Sequence, residues 1–217
     1  MSQEEIHPQL MRRQPQQARS QQRVNRILDE AEQLLIEVGY EATTTKAIAA
    51  NAEIPIGTLY QFFPGKPAIV TAIAMRYAEQ LQQLFSELHT SESATLPLEE
   101  YLDRTIETFH QFYATHPGLI IVFGQLPQIA PDIQTVNAEF NLQIQQRVAE
   151  FFLQYNPNLD PAQAELIAKI GSEVTRTLHV AALVAQDKTE QQQILTEAKT
   201  LLFSYLQPHL CKRSDQG

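Results

Sequence analysis

The sequence contains a single cysteine, Cys211, among its 217 residues. A single cysteine excludes a disulfide framework and a cysteine-rich zinc module, and it fits a reducing compartment. No stretch approaches the roughly 18 consecutive apolar residues that a membrane-spanning helix needs. The N-terminal residues also lack the apolar segment of a secretory signal peptide. We therefore expect a cytoplasmic protein that does not enter a membrane.

Signatures of catalysis are missing as well. The sequence contains neither the G-x-S-x-G of a hydrolase nor the G-x-G-x-x-G of a dinucleotide site. Its six histidines are scattered, and none belongs to an H-E-x-x-H metal motif. A phosphate-binding loop ending at Gly65-Lys66 would need a first glycine and a Ser/Thr, where this chain has Tyr60 and Pro67. We predict a protein that is not an enzyme and that carries no cofactor or metal.

Negative charge is concentrated in the C-terminal part of the chain, whose overall net charge is −9. Residues 1–82 hold eight Lys/Arg against nine Asp/Glu, whereas residues 83–217 hold eight against sixteen. Within residues 1–26, five arginines stand against two glutamates. This distribution leaves a nucleic-acid partner for the N-terminal part open, although it does not by itself indicate one.

Apolar residues recur at spacings of three and four, and no segment alternates as a strand does, so we predict an all-α fold of about nine helices. The predicted helices lie at about 24–38, 46–52, 56–62, 66–88, 98–115, 119–126, 132–154, 161–186 and 189–207. Asp160-Pro161 predicts an N-cap followed by proline in the first turn, and Thr189 with Gln192 predicts a capping box.

Two short predicted helices and the tight turn between them, at 43–63, form the pattern of a helix-turn-helix. Alanines in the first short helix allow close packing, while Gly57 and Thr58 keep the start of the second open to a DNA major groove. Tyr60 has a hydroxyl that can reach a phosphate. The candidate anchors of the buried face are Leu59, Phe62 and Phe63.

The same segment resembles the DNA-binding domain of the TetR/AcrR family of transcriptional regulators. From Thr43 to Lys66 it reads T-T-x-x-x-I-A-x-x-A-x-I-P-x-G-T-L-Y-x-x-F-x-x-K. The resemblance covers about residues 21–81 and implies a helix-turn-helix domain over 21–82, with the recognition helix at 56–62. The DNA-binding residues predicted on this basis, together with one arginine of the first helix, are Arg23, Thr44, Thr45, Lys46, Pro55, Ile56, Gly57, Thr58, Leu59, Tyr60, Gln61 and Lys66.

Two positions depart from the family pattern. Glu53 stands where the family usually has glycine, and a left-handed backbone there would cost a non-glycine residue on the order of 1 kcal/mol. A carboxylate at this position would also lie near the DNA, so it either points away or lowers affinity. Gln61 replaces a frequent histidine, which leaves the base preference open.

The resemblance implies that residues 83–210 form a helical domain for effector binding and dimerisation. A flexible arm (1–20), rich in Gln and Arg, and a tail (211–217) are expected to flank the two domains. Members of this family generally dimerise through their last two long helices. The predicted interface residues are Leu166, Ile170, Val174, Leu178, Leu195, Ala198, Leu202 and Tyr205.

Aromatic residues of this part could line a pocket for an apolar effector, although helical spacing is equally typical of core residues. The pocket candidates are Tyr101, Phe109, Phe112, Tyr113, His116, Phe123, Phe140 and His179, with Phe151 and Phe152 as further possibilities.

Together these features predict a ligand-responsive repressor that acts as a homodimer on a pseudo-palindromic, double-stranded operator. Its other predicted partner is a small, largely apolar effector. The alternative is an all-α adaptor for other proteins that keeps the fold without binding DNA, which Glu53 and the overall acidity favour. A small helical enzyme is a more distant third hypothesis.

Overall fold

The computed structural model describes residues 18–126 and 131–211. These residues form nine α-helices and no strand, which confirms the all-α prediction. The helices are α1 (Ala18–Ala42), α2 (Thr45–Asn51), α3 (Ile56–Phe62), α4 (Lys66–Leu88), α5 (Leu98–Thr115), α6 (Gly118–Ile120), α7 (Pro131–Tyr155), α8 (Pro161–Leu183) and α9 (Lys188–Leu210). A 3₁₀ turn, Ser93–Thr95, precedes α5, and a π-helical turn, Ile121–Gln125, follows α6. Most of the predicted arm and tail, residues 1–17 and 212–217, lie outside the described residues.

Helix ends follow the sequence signals at two of three positions. Gly39 has a left-handed φ of 77°, which breaks α1 where its apolar pattern ends, although a last turn continues to Ala42. Asp160 caps α8 as predicted, because its carboxylate accepts a hydrogen bond from the amide of Gln163 at 3.0 Å. The predicted capping box at Thr189 was wrong.

At the start of α9 the cap is Asp187 instead. Its carboxylate accepts hydrogen bonds from the amides of Thr189 and Glu190, at 2.7 and 2.9 Å. Helix α9 therefore begins at Lys188, one residue before the predicted start. An aspartate satisfies free amides at a helix N-terminus at least as well as a threonine, and it adds a favourable interaction with the helix dipole.

The chain divides into two compact units. Unit 1 contains the described residues up to Gln80 together with Pro117–Ala138, and unit 2 contains Leu81–His116 and the described residues from Glu139 onward. Helix α4 contributes to both units because the division falls within it. The predicted domains were contiguous segments, whereas the two units alternate along the chain. None of the described helices is both long and apolar enough to cross a membrane.

In unit 1 a charged cluster joins α1 to α4. The Arg76 guanidinium contacts Asp29 and Glu32, both at 2.6 Å, and the Tyr77 hydroxyl donates to Glu32. Burial and this hydrogen bond raise the pKa of Tyr77. A side chain at Gly118 would meet the Tyr77 oxygen at 2.7 Å, so glycine allows α6 to approach this cluster closely.

In unit 2 the helices α5, α7, α8 and α9 pack together with the last turns of α4. Arg147 of α7 donates hydrogen bonds to the Gln82 carbonyl and to Ser86, and so fastens α7 to the end of α4. Lys199 of α9 contacts Asp103 of α5 at 2.7 Å. The buried apolar face of α9 consists of Leu195, Ala198, Leu202, Leu206 and Leu210.

Candidate nucleic-acid interface and ligand cavity

Helix α2 is fixed at both ends by local hydrogen bonds. Thr44 caps its start, because the Thr44 hydroxyl accepts a hydrogen bond from the amide of Ala47 at 3.1 Å. At its end the amides of Glu53 and Ile54 donate to the carbonyls of Ala50 and Ala49, at 3.1 and 3.0 Å. These two bonds form a Schellman motif, which requires a left-handed residue just after the helix. The turn into α3 therefore has a defined geometry.

Glu53 occupies that left-handed position with a φ of 52°. The strain anticipated from the missing glycine is therefore present. Its carboxylate contacts the Arg26 guanidinium of α1 at 2.7 Å, and both side chains are largely exposed. Such an exposed ion pair contributes only about 0–1 kcal/mol. The pair nevertheless gives the carboxylate a cationic partner within the protein.

Helix α3 has one buried face and one open face. Leu59, Phe62 and Phe63 are buried, as expected for anchors. Ile56 and Tyr60 remain 38% and 40% exposed. The other exposed residues of the open face are Pro55, Gly57 and Gln61, with Thr58 half-buried beside them.

Leu59 needs a correction as a predicted DNA-binding residue. Its side chain is 0% exposed, so it anchors α3 in the core and presents no atoms to a partner. Its neighbours on the open face, rather than Leu59, are available for contact.

Gly57 has no internal reason to be a glycine. Apart from its chain neighbours and the backbone of its own helix, a β-carbon built at this position meets no described atom within 4 Å. Positive φ values in the described part of the chain occur at Gly39 and Glu53, not at Gly57. Neither packing nor backbone conformation requires glycine here, so this position offers room for the close approach of an external partner.

Thr45 and Tyr60 connect α2 and α3 at the open face. Their hydroxyl oxygens lie 3.0 Å apart. One hydroxyl donates to the other, which leaves the second hydrogen available for an acceptor outside the protein. A phosphate oxygen is such an acceptor, so the predicted roles of these two residues are compatible with this geometry.

Lys66 is already engaged by α1. Its ammonium donates to the Tyr40 carbonyl at 2.6 Å and lies 4.0 Å from the centre of the Tyr40 ring. An ammonium has three N–H donors, so a phosphate contact would have to use the remaining ones. Arg23 and Lys46, by contrast, have exposed side chains. Of the arginines that precede them, Arg12 and Arg13 lie outside the described residues.

A cavity of about 80 Å³ lies within unit 2. Four of the predicted pocket residues line it: Tyr101, Phe109, Tyr113 and Phe140. On α5 the lining residues Tyr101, Thr105, Phe109 and Tyr113 follow one another at intervals of four, which places them on one face of the helix. Phe152, one of the further possibilities, also lines the cavity, but Phe151 does not.

Four other pocket candidates lie elsewhere, for identifiable reasons. Phe112 stacks on His116 with their ring centres 4.2 Å apart, on a neighbouring face of α5. Phe123 belongs to the π-helical turn of unit 1. His179 is fully buried, and its two ring nitrogens lie 2.7 and 2.9 Å from the carbonyls of Thr175 and Ile106. It joins α8 to α5 and is not part of the cavity wall.

Residues that the pattern did not single out complete the cavity wall. Leu81 and Phe85 line it from α4, His89 lines it from just after that helix, and Arg176 and Glu173 line it from α8. The spacing of four between Leu81, Phe85 and His89 could have predicted their place in the cavity wall, because it continues the apolar face of α4 into the connector that follows. The contribution of α8 had no comparable signal, since charged residues in a helix usually indicate a solvated face.

His89 and Tyr101 form a hydrogen-bonded pair in the cavity wall. The His89 Nε2 and the Tyr101 hydroxyl lie 2.9 Å apart, and His89 Nδ1 lies 2.9 Å from the Phe85 carbonyl. Burial lowers the pKa of His89 to about 4, and the nearby Arg147 charge acts in the same direction. Burial raises the pKa of Tyr101. Both side chains are therefore neutral near pH 7.

The predicted dimer residues divide between the surface and the core. Leu166 and Ile170 of α8 are exposed, and Val174, Leu178 and Tyr205 are half-buried. The structure places the other three predicted residues in the core of unit 2, where no partner can reach them: Leu195, Ala198 and Leu202.

The comparisons with known proteins cover both parts of the chain. Residues 97–206 match the family model described as the tetracyclin repressor-like C-terminal domain. Residues 27–73 match the model of bacterial regulatory proteins of the tetR family. The chain belongs to the TetR family. The family's N-terminal model spans α2 and α3 completely, so the open face of α3 lies within its DNA-binding segment.

Relatives of this TetR-family chain include two curated bacterial proteins. An uncharacterised HTH-type transcriptional regulator, YvkB of Bacillus subtilis, is 43% identical over 53 residues, 24% of this chain and 28% of that protein. The HTH-type transcriptional repressor KstR of Rhodococcus jostii is 37% identical over 60 residues, 28% of each chain. The matches to curated relatives thus span about a quarter to a half of those proteins' lengths.

A solved structure extends the similarity along the chain. A TetR-family transcriptional regulator from Streptomyces coelicolor is 28% identical, with a TM-score of 0.59, over 87% of this chain and 99% of that one. A putative TetR-family regulator from Mesorhizobium loti, 18% identical with a TM-score of 0.68, shares the fold. Family membership identifies the chain as a helix-turn-helix transcriptional regulator.

Proposed function

We propose that the chain is a homodimeric, ligand-responsive repressor that binds a pseudo-palindromic operator through the open face of α3. The observation that carries the proposal is the division of α3 into a fully packed face and an open one. A glycine without an internal role lies at the centre of the open face. This arrangement suits a helix that inserts into a major groove about 12 Å wide.

Several side chains around α3 suit contacts to DNA. Tyr60 and Thr45 offer a hydroxyl hydrogen to a phosphate, while Arg23 and Lys46 offer exposed positive charge. Gln61 is the exposed amide side chain on α3, and an amide can form two hydrogen bonds with an adenine edge. Phosphate contacts would then set the position of the helix, and Gln61 would contribute base specificity.

Exposed apolar residues on the last two helices support dimerisation. Leu166 and Ile170 lie about 40° apart around α8 at about 100° per residue, and Val184, just after the helix, is exposed as well. Leu201 is exposed on α9. A second copy of the chain would cover this surface symmetrically and would supply the second recognition helix for a two-fold related half-site.

The cavity supports regulation by a ligand. Leu81 and Phe85 of α4 line it, and the same helix begins at Lys66, directly after the helix-turn-helix. We infer that a ligand acts through α4, and that it switches DNA binding by its different affinity for the DNA-bound and free arrangements. Repression, rather than activation, is supported by the name of one relative, the transcriptional repressor KstR.

Two other candidate functions have less support. The adaptor hypothesis depended mainly on an acidic side chain beside the DNA-binding surface, and the Glu53 carboxylate has Arg26 as its partner. The enzyme hypothesis has less support because the matched relatives are named as transcriptional regulators, so we propose a protein that binds its ligand without a catalytic step.

Binding-site selection from random DNA, followed by titration of the selected site at several salt concentrations, tests the proposal. We expect a pseudo-palindromic site whose affinity falls steeply as salt rises, because phosphate contacts release counterions. Tyr60→Ala and Gln61→Ala should weaken binding at least tenfold, whereas Gln146→Ala, an exposed glutamine of α7, should not. Absence of a selected sequence, or equal affinity in all four proteins, would exclude the proposal.

A further inference from the structure

One wall of the cavity in unit 2 is polar, and the directions of its hydrogen bonds can be assigned. The wall consists of His89, Tyr101 and Thr105, all of which line the cavity. Each of the three takes part in a hydrogen bond to another group of the protein. A ligand can bond only to the hydrogens and lone pairs of these residues that the protein does not already use.

The hydrogen of the Tyr101 hydroxyl is already used. His89 Nδ1 lies 2.9 Å from the Phe85 carbonyl, which can only accept, so Nδ1 carries the imidazole hydrogen. In the neutral ring Nε2 is then an acceptor, and Tyr101 must donate to it across 2.9 Å. The lowered pKa of His89 supports this neutral form near pH 7. The Tyr101 oxygen therefore retains only acceptor capacity.

The hydrogen of the Thr105 hydroxyl is used as well. It donates to the backbone carbonyl of Tyr101 at 2.7 Å, one turn earlier in α5. Thr105 thus also retains only lone pairs. A ligand atom that reaches this wall meets acceptors and no free hydrogen.

The rest of the cavity is mainly apolar, with a second polar part. Its apolar lining includes Phe85, Phe109, Phe140, Ile144 and Val148, and the polar residues that line it from α7 and α8 are Asn141, Gln145, Ser172 and Thr175. The charged residues of the lining, Arg176 and Glu173, contact each other at 2.5 Å, with side chains 51% and 44% exposed to solvent. This exposed pair contributes little to stability by itself.

We infer that the effector is a compact, uncharged, apolar molecule that carries a hydroxyl or N–H donor directed at Tyr101 and Thr105. This inference rests on the proposed function, because it names the class of ligand that would regulate DNA binding. A carbonyl, ether or carboxylate oxygen at the same place would face lone pairs and remain unsatisfied, which is unfavourable in a buried site. The cavity is smaller than the roughly 300 Å³ of ordinary ligand sites, so a larger effector would displace its walls.

Three small aromatic probes of similar size separate the possibilities: phenol as a donor, benzaldehyde as a pure acceptor, and toluene without a polar group. Their affinities are measured on the full-length protein without DNA, by ligand-observed NMR or calorimetry. The proteins are the wild type, Tyr101→Phe, and Tyr155→Phe as a matched control. Tyr155 donates to the Leu96 carbonyl and does not line the cavity, so its loss tests the general effect of removing a tyrosine hydroxyl.

In the wild type we expect phenol to bind at least about fivefold more tightly than benzaldehyde, as one net hydrogen bond allows. Tyr101→Phe removes one acceptor but leaves the Thr105 oxygen and frees the His89 Nε2 lone pair, so this variant should keep a preference for phenol, as should Tyr155→Phe. Wild-type binding of benzaldehyde equal to that of phenol would overturn the inference without reference to any variant. Failure of all three probes to bind would also overturn it. DNA binding is tested separately by operator titration. A failure of the ligand inference would therefore not contradict the proposed DNA binding.

Discussion

The open face of α3 and the cavity of unit 2 are built in opposite ways. One short helix, α3, supplies both the buried anchors and the exposed groups. The position of each residue along the helix decides whether its side chain is buried or exposed. The cavity wall takes residues from α4, α5, α7, α8 and α9. The contrast shows that a surface made by one helix depends on the order of residues within that helix. A cavity made by several helices depends on how they pack.

The two regions also treat their polar groups differently. At α3 the hydroxyls of Thr45 and Tyr60 share one hydrogen bond and keep a hydrogen for the outside. In the cavity the hydrogens of His89, Tyr101 and Thr105 are all directed at protein acceptors. The first arrangement suits an acceptor partner such as phosphate, and the second suits a donor ligand.

The largest expected effect sharpens the distinction between core and surface on α9. Leu202→Ala should lower the free energy of unfolding by about 3 kcal/mol, because Leu202 is only 2% exposed. Its neighbour Leu201 is 48% exposed, so Leu201→Ala should cost the monomer less than about 1 kcal/mol while weakening the dimer. Urea unfolding at low protein concentration, together with sedimentation, measures both. Equal losses of stability in Leu202→Ala and Leu201→Ala would contradict the assignment of Leu202 to the core and Leu201 to the surface.

A pH experiment tests the neutral state of the cavity wall. In the unfolded chain His89 takes up a proton as the pH falls below its usual pKa of about 6.5. In the folded protein its pKa is about 4, so it stays neutral until the pH approaches that value. Its contribution is therefore fully present above pH 6.5 and is lost as the pH falls toward 4. Between pH 7 and pH 5 we expect the wild type to lose about 2 kcal/mol more stability than His89→Gln.

Urea unfolding of both proteins across this pH range provides the measurement. His89→Gln serves as the control because glutamine keeps polar groups at this position and does not titrate. Parallel pH profiles of the two proteins would show that His89 is not held neutral by burial.

A smaller effect concerns the turn between α2 and α3. Glu53→Gly should be about 1 kcal/mol more stable than Glu53→Gln, because both lose the ion pair with Arg26 and only glycine adopts the left-handed backbone without strain. Glu53→Gln keeps the strain and loses only the exposed ion pair with Arg26, so it should lower stability by less than about 1 kcal/mol. Thermal unfolding compares the three proteins. A glycine variant less stable than the wild type would show that the ion pair outweighs the backbone strain.

Local features were predictable from the sequence, and α3 is the best example. Its predicted limits, 56–62, coincide with Ile56–Phe62, because Pro55 precedes it and Pro64-Gly65 ends it. The sequence raised a left-handed backbone at Glu53 only as a condition, and the φ of 52° meets that condition. These signals lie within a few residues of the features that they determine.

Features that depend on packing between distant segments were not predictable. The contact of Lys66 with Tyr40 joins residues 26 positions apart, and that of His179 with the Ile106 carbonyl joins residues 73 apart. Leu195 and Leu202 follow the same apolar spacing whether they face α5 and α8 or a second chain. The spacing identifies an apolar face, and only the packed structure shows what covers it.

The central claim, that the open face of α3 meets DNA, is tested most directly by Gly57→Ala. Because no described atom beyond its chain neighbours and its own helix backbone lies within 4 Å of the added methyl group, stability should stay within about 1 kcal/mol of the wild type or rise slightly. Affinity for the selected operator, measured by fluorescence anisotropy, should fall at least tenfold, because the methyl group occupies space needed by the DNA. Unchanged operator affinity in a stably folded Gly57→Ala protein would contradict the account.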